Sequence, residues 1–345
     1  MKNMLQINRI CHYCNKVQQL PIMANISKCT APNLKDAATS LRSGNLVAFP
    51  TETVYGLGAD ATNKSAIENL YKVKGRPKDH PLIVHISSMK NLYRWASEVP
   101  EYAIKLARTF WPGPMTLILP RTKLAKNFIT GSQDNVALRV PSHSLALSLI
   151  AEFEAQGGVG VAAPSANRFG RVSPTTAEAV YEELSDYLSV TDVILDGGPC
   201  LVGIESTIIN CTKTVPDILR PGSITKEIIF AKAGVIVEQS TYTENQQQIK
   251  ASGLLRSHYK PNASVFLTGT PKSGDGLIAL DTYMTPVGVI RLASPKSNLE
   301  YAQQLYSALR MADRKKINRV FVIPPTGLDI SLAINDRLSK SARLP

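Results

Sequence analysis

The sequence predicts an α/β protein built as a larger unit whose sheet is covered by helices, a linker, and a small C-terminal α/β unit. Short apolar runs alternate with amphipathic stretches of helical period from Asn33 onward. A polar, Gln-rich stretch at 241–248 breaks that alternation, which then resumes to the C-terminus. A length of 345 residues is also more than one ordinary hydrophobic core accommodates.

Residues 1–31 show no period and are expected to be an extension without fixed structure. Leu34, Ala37, Ala38 and Leu41 fall on one helical face, with Asn33 placed to cap it and Gly44 to end it. Leu46–Phe49 reads as a buried strand, Ser65–Lys74 as a helix, and Pro81–Ile86 as the next strand. Further strands are predicted at Met115–Leu119, Val136–Val140, Val159–Ala163, Val193–Leu195 and Thr207–Asn210, with helices at Pro100–Phe110, Ser144–Phe153 and Thr176–Leu188. The first domain is expected over 32–236 and the linker over 237–262. The second domain, 263–345, reads as strands near Val265–Leu267, Leu277–Leu280, Val287–Arg291 and Val320–Ile323, a helix from Asn298 to Met311, and a helix from Leu328.

Composition narrows the function classes. A formal charge of +12 suits polyanionic partners such as nucleotides or RNA, and equally suits plain solubility. No apolar run approaches the roughly 20 residues of a membrane span, and no basic-then-apolar leader opens the chain, so a cytoplasmic protein without membrane association is expected. The five cysteines, an odd number, argue against a disulfide framework. Cys11-x-x-Cys14, with His12 and Cys29 nearby, lacks the second ligand pair of a structural zinc site, so no metal ligand is assigned.

Two stretches gather chemistry. Pro50-Thr51-Glu52-Thr53-Val54-Tyr55-Gly56-Leu57-Gly58 follows a strand, and Lys74-Gly75-Arg76-Pro77 closes the helix after it. Ala163-Pro164-Ser165-Ala166-Asn167 follows another strand, with Ser173-Pro174-Thr175 behind it. Hydroxyls and fixed cations at strand ends suit a phosphate-bearing ligand. No G-x-x-x-x-G-K-[ST] loop is present to bind it by the usual route. Singly, each piece has a plainer reading: Lys74 and Arg76 as helix C-terminal partners, Ser165 and Asn167 as turn residues, Ser173 as a cap, His85 as a core histidine. Arg139, a cation in an apolar strand, requires an anion, either a substrate carboxylate or an internal Asp or Glu. Gly203-Ile204-Glu205-Ser206-Thr207 and Arg220-Pro221-Gly222 add a third cluster, with Glu205 either a general base or an arginine's partner and Arg220 able to meet a phosphate.

These runs, together with WPGP, VALRVPSH, GIESTI and LRPG in the same order, resemble the YrdC-like family. His258-Tyr259 and Ala333-Ile334-Asn335-Asp336-Arg337-Leu338 resemble its long, two-domain form. The resemblance implies a twisted, open, mixed sheet flanked by helices, joined by the linker to a Rossmann-like second domain. It implies an L-threonylcarbamoyladenylate synthase, a nucleotidyltransferase that converts L-threonine, bicarbonate and ATP, with Mg2+, to threonylcarbamoyl-AMP and pyrophosphate. The product would pass to a transferase for tRNA threonylcarbamoyladenosine modification, and tRNA or double-stranded RNA is a possible partner. Carried over by motif, Thr53, His85, Arg139, Ala163 and Ser206 hold threonine. Arg76, His80, Asn135, Ser165, Ser173, Arg220 and Tyr259 hold ATP, and Lys74, Arg76, Ser165 and Asn167 fill the catalytic KxR and SxN pattern.

Two positions depart from the pattern. His80 stands where Asn is usual, and Ala251-Ser252-Gly253-Leu254-Leu255 replaces a Pro-Gly-Met run, while His258 and Tyr259 remain, so the resemblance implies a linker lying lid-like over the active site. The rival from another class is a non-catalytic RNA-binding module. A carbamoyl-transfer enzyme of hydrogenase maturation is disfavoured, because its paired zinc fingers and acylphosphatase-like domain have no counterpart here.

Overall fold

The computed structural model describes residues 25–28, 31–240, 249–255 and 258–342. The Cys11, His12, Cys14 and Cys29 cluster lies outside the described residues.

In the first domain the strands are β1 (Asn25–Lys28), β2 (Val47–Phe49), β3 (Gly56–Asp60), β4 (Ile83–His85), β5 (Met115–Pro120), β6 (Asn135–Arg139), β7 (Val161–Ala162), β8 (Val193–Asp196), β9 (Thr207–Asn210), β10 (Asp217–Arg220) and β11 (Glu238–Gln239). Among the described residues they form one mixed sheet in the order β1-β8-β2-β3-β7-β4-β6-β5-β9-β10-β11. The first helix runs Ala31–Arg42, so Asn33 lies inside it rather than capping it. β1 pairs in parallel with β8, which places Asn25–Lys28 inside the sheet instead of in an unstructured extension. β11 pairs with β10, so the sheet also continues past residue 236.

Strand alternation divides the sheet into two chemically different faces. Val84, Leu117, Leu138 and Ile209 point into the main apolar core, with Ile67, Leu70, Leu106 and Trp95 from the covering helices. Ile83, Ala137, Ile118 and Ile208 point the other way. Against these pack Ile249, Ala251 and Leu254 from the linker, rather than a helix. The expectation that helices cover the sheet therefore holds on one face in this region, while a strap of linker covers the other.

β3 escapes prediction because its Gly-Leu-Gly run looks like a turn. Gly58 has no side chain for a packing reason: a Cβ there would stand 2.8 Å from the Phe49 ring and 2.9 Å from Val161. β10 is hidden by its flanking prolines, Pro216 and Pro221.

The second domain contains β12 (Ser264–Phe266), β13 (Gly276–Ile278), β14 (Ile290–Ala293) and β15 (Arg319–Val322). All pair in parallel, in the order β12-β15-β13-β14. Helices Asn298–Arg314 and Ser331–Ser341 cover one face through Tyr301, Leu305, Leu309, Ile334 and Leu338. Val54, Val172 and Ile204 of the first domain join this same cluster, so the two domains share a buried apolar seam.

Candidate active site

The face of the sheet under the linker strap carries a cavity. Its walls include Thr53, Gly56, His85, Arg139, Ala163, Ser165, Glu205, Ser206, Arg220, Ser252, His258 and Tyr259. Motif residues far apart in sequence meet because their strands are neighbours: His85 of β4 stands in register with Arg139 of β6, and Gly56 bridges to Ser165. The lining residues sit at strand ends, as the order of elements suggested: His85, Arg139 and Arg220 close β4, β6 and β10, Gly56 opens β3, and Ala163 and Ser206 adjoin β7 and β9.

One end is built around Arg139. Its Nη2 pairs with Glu52 Oε1 at 2.7 Å, its Nη1 donates to Thr53 Oγ1 at 3.0 Å, and its Nε donates to the Gly113 carbonyl at 3.3 Å. Glu52 also accepts from the Ser142 amide at 3.0 Å. The anion that the sequence demanded is thus supplied internally, by Glu52. Burial pushes the Glu52 carboxyl up, but the charge and hydrogen bond of Arg139 outweigh it, and the net shift is downward. The pair is buried on both sides. Removing one partner of such a pair costs about 3–5 kcal/mol, because the other charge is stranded. His85 is buried beside it, its Nδ1 has no hydrogen-bond partner, and burial followed by the Arg139 charge drives its pKa down to about 3. It is a neutral imidazole at physiological pH.

The other end centres on Arg220 and Ser206. Arg220 donates Nε to the Ser206 carbonyl at 3.1 Å and Nη2 to Ser206 Oγ at 3.1 Å. Thr116 Oγ1 lies 2.8 Å from the same hydroxyl, fixing it from below. The remaining guanidinium nitrogen, Nη1, donates to the Ser252 carbonyl of the strap at 2.8 Å. Gly253 has φ +81°, and a Cβ there would sit 2.4 Å from the Tyr259 hydroxyl, so the strap passes this point only as glycine. Lys340 Nζ donates to the Gly253 carbonyl at 2.9 Å, and Lys250 Nζ pairs with Asp79 at 2.6 Å. Tyr259 is buried and its hydroxyl is unpartnered.

Several predicted residues are not in the lining. Lys74 donates to the carbonyls of Ser165, at 2.6 Å, and Asn167. Burial, with Arg76 adding repulsion, holds its ammonium well below the usual lysine range. Arg76 donates Nη2 to the Pro81 carbonyl at 2.9 Å and lies 5.6 Å over the Phe169 ring. Burial lowers its pKa to about 10. Asn167 donates to the Arg168 and Arg171 carbonyls at 2.7 and 2.9 Å. Lys74 and Asn167 thus bond the backbone of the loop that carries Ser165. Ser173 donates to Glu205. His80, with a pKa lowered by burial and by Arg76, packs edge-on against Phe169. Asn135 lines a second, smaller hollow under the strap, which shares Ile83 and Ser252 with the first.

The sequence reading gave no role to Thr116, Ser252, Tyr306 or Arg337, and left Glu52 unassigned within its motif. A signal existed for Thr116, a lone hydroxyl in the otherwise apolar run Met115–Leu119. Glu52 gave none, since its partner is a tertiary neighbour.

The cavity thus brings two arginines to one site, Arg139 held by Glu52 and Thr53 and Arg220 beside the Ser206 hydroxyl. The family described as Telomere recombination (Sua5, YciO, YrdC) matches residues 39–222, and the family described as Threonylcarbamoyl-AMP synthase, C-terminal domain, matches residues 224–343. The chain belongs to this two-domain Sua5/YrdC family. It is 39% identical over 325 residues to a threonylcarbamoyl-AMP synthase of Pyrococcus abyssi, covering 90% of this chain and 94% of that one. It is 40% identical over 332 residues to its counterpart in Bacillus subtilis, covering 90% and 93%. A crystal structure of P. abyssi Sua5 complexed with L-threonine superposes with a TM-score of 0.82 at 35% identity, covering 92% of this chain and 97% of that chain. No helix among the described residues is long and apolar enough to cross a membrane.

Proposed function

We propose that this chain is an L-threonylcarbamoyladenylate synthase, acting as a nucleotidyltransferase on L-threonine, bicarbonate and MgATP. The carrying observation is the pair of arginine-based stations in one cavity, Arg139 with Thr53 at one end and Arg220 with Ser206 at the other. The relatives' activity and the threonine complex of the P. abyssi protein support the same reading.

In this reading threonine's carboxylate takes up the free faces of Arg139 and Thr53, with neutral His85, Ala163 and Ser206 around its amine and side chain. A neutral His85 accepts from an ammonium or donates to an oxygen without adding a competing charge. The amine attacks bicarbonate-derived carbon, giving a carbamate and releasing water. A carbamate oxygen then attacks the α-phosphorus of ATP, the bond to the β-phosphate oxygen breaks, and pyrophosphate leaves. No bond to the protein forms. Rate comes from alignment of two anions and from fixed positive charge.

ATP is assigned to the strapped half: Arg220, Ser165, Ser173, Tyr259, Arg76, His80 and Asn135. Arg220 meets the phosphates once Ser252 releases it. Lys74 and Asn167 act by shaping the loop that presents Ser165. The described residues contain no cluster of three or more His, Cys, Asp or Glu to hold a metal. The cavity's carboxylate, Glu205, already accepts from protein donors on both oxygens. Magnesium is assigned to the triphosphate as part of the substrate. The adenylate would be passed to a transferase of the tRNA modification.

The test mixes protein, MgATP, threonine and bicarbonate and follows pyrophosphate. Release that requires both threonine and bicarbonate is expected. ATP turnover without them, or RNA binding with no turnover, contradicts the proposal.

A further inference from the structure

The second domain reaches the cavity wall through one carboxylate. Glu205 lines the cavity next to Ser206. Its Oε1 accepts from Ser173 Oγ at 2.6 Å. Its Oε2 accepts from the Tyr306 hydroxyl at 2.9 Å and from Arg337 Nε at 2.9 Å. Tyr306 lies on the helix Asn298–Arg314 and Arg337 on the helix Ser331–Ser341, so both donors come from the C-terminal domain. The Arg337 side chain is 0% exposed. Its Nη1 pairs with Asp336 at 2.6 Å, and its guanidinium lies 5.4 Å over the Tyr259 ring, which stacks on Tyr306 at 5.7 Å.

Glu205 is therefore a buried anion whose hydrogen-bond donors come from both domains. Ser206, which it adjoins, and Ser173, which it binds, both belong to the proposed substrate contacts. A carboxylate left unpaired here would face the phosphate side of the cavity, where like charges repel strongly at short range and low dielectric.

We propose that Arg337 and Tyr306 are positioning residues for the nucleotide half of the site: they neutralise and fix Glu205, so that Ser173 and Ser206 keep their places and incoming phosphates meet no free negative charge. The inference rests on the reading of this cavity as an ATP site. It also gives the C-terminal domain a part in the chemistry beyond packing.

If the pair were only glue between domains, deleting the arginine would lower stability and nothing further would restore ATP binding. If its task is charge neutralisation, removing the carboxylate's charge as well should restore it. The full chain is compared as wild type, Arg337→Met and Arg337→Met with Glu205→Gln, measuring equilibrium binding of ATP and of threonine, pyrophosphate release, and thermal melting. Arg337→Met is expected to weaken ATP about tenfold and threonine less than about twofold, and the double variant to regain most of the ATP affinity. Unchanged ATP affinity in the single variant, or a double variant no better than the single, overturns the inference. Should Arg337→Met fail to fold, Tyr306→Phe takes its place: about threefold weaker ATP binding with a cooperative melt is expected for one lost hydrogen bond, and unchanged affinity overturns the inference. Failure of the synthase reading looks different: the wild type would bind ATP but release no pyrophosphate in response to threonine and bicarbonate.

Discussion

The two ends of the cavity are built on opposite principles. The Arg139 end is complete within the first domain: Glu52, Thr53, Gly113 and Ser142 fix the guanidinium and its partner before any ligand arrives. The Arg220 end is assembled from three parts of the chain. Its cation is engaged by the Ser252 carbonyl of the strap, and its neighbouring carboxylate by Arg337 and Tyr306 of the second domain. A pre-set clamp suits a small substrate of fixed shape. A borrowed, strapped site suits a larger one that must enter and leave as a changed product. The contrast predicts that damage at the first end is local and severe, and that damage at the second is graded and can come from far away.

The largest expected effect is Arg139→Ala. It removes the proposed carboxylate clamp and strands buried Glu52, so threonine-dependent kcat/KM should fall by at least about 100-fold, with about 3–5 kcal/mol lost in a denaturant melt. Wild-type threonine dependence in this variant would break the comparison at its firmer end. Next is Lys74→Ala. The Ser165 and Asn167 carbonyls lose their shared donor, so a stability loss of about 2–4 kcal/mol should accompany the loss of activity. An inactive variant of wild-type stability would instead return Lys74 to direct contact with the phosphates.

A third prediction concerns pH. Burial raises the Glu205 carboxyl, but Arg337, Arg220 and the Ser173 and Arg337 hydrogen bonds dominate and bring it from an ordinary 4.5 to about 2. A depressed folded-state pKa gives stability that is present above 4.5 and lost as pH falls toward 2. Glu205→Gln should therefore flatten the acid limb of the stability curve in that window by on the order of 3 kcal/mol. An acid limb of wild-type slope, read by urea melts across the window, would contradict the pairing. The smallest effect is expected for Lys340→Ala, which removes the strap's bond at Gly253 while Arg220 and Lys250 still hold it. Faster amide exchange at 250–253 and a change in ATP KM of about threefold or less are expected; a large loss of threonine binding would blur the two ends together.

Much of this was legible in the sequence, for definite reasons. The buried strands β5, β6 and β9 announce themselves as apolar runs, and the residues that line the cavity sit in short motifs beside them. Arg139 could be singled out because a lone cation in such a strand must be answered by an anion. What could not be read was which anion answers it, since Glu52 and Arg139 meet only when β6 and the loop after β2 fold together. The Glu205–Arg337 contact is hidden in the same way, across two domains. Strand β3 was masked by the glycine that lets it pack against Phe49. The linker's place over the site was expected, but not what seats it: a strap lying on an apolar sheet face needs only a few apolar residues, here Ile249, Ala251 and Leu254, and no period. Lys74 reads from its motif as a ligand contact, and what the sequence does not disclose is that its bonds here go to the backbone of the loop beside it.

The most direct test of the two-ended account is hydrogen exchange at the Ala251, Ser252 and Gly253 amides, followed with threonine alone and with ATP alone. Threonine should leave their protection unchanged, because its clamp is complete without the strap. ATP should change it, because the phosphates replace the Ser252 carbonyl on Arg220. Equal responses to the two ligands, or no response to ATP, would contradict the account.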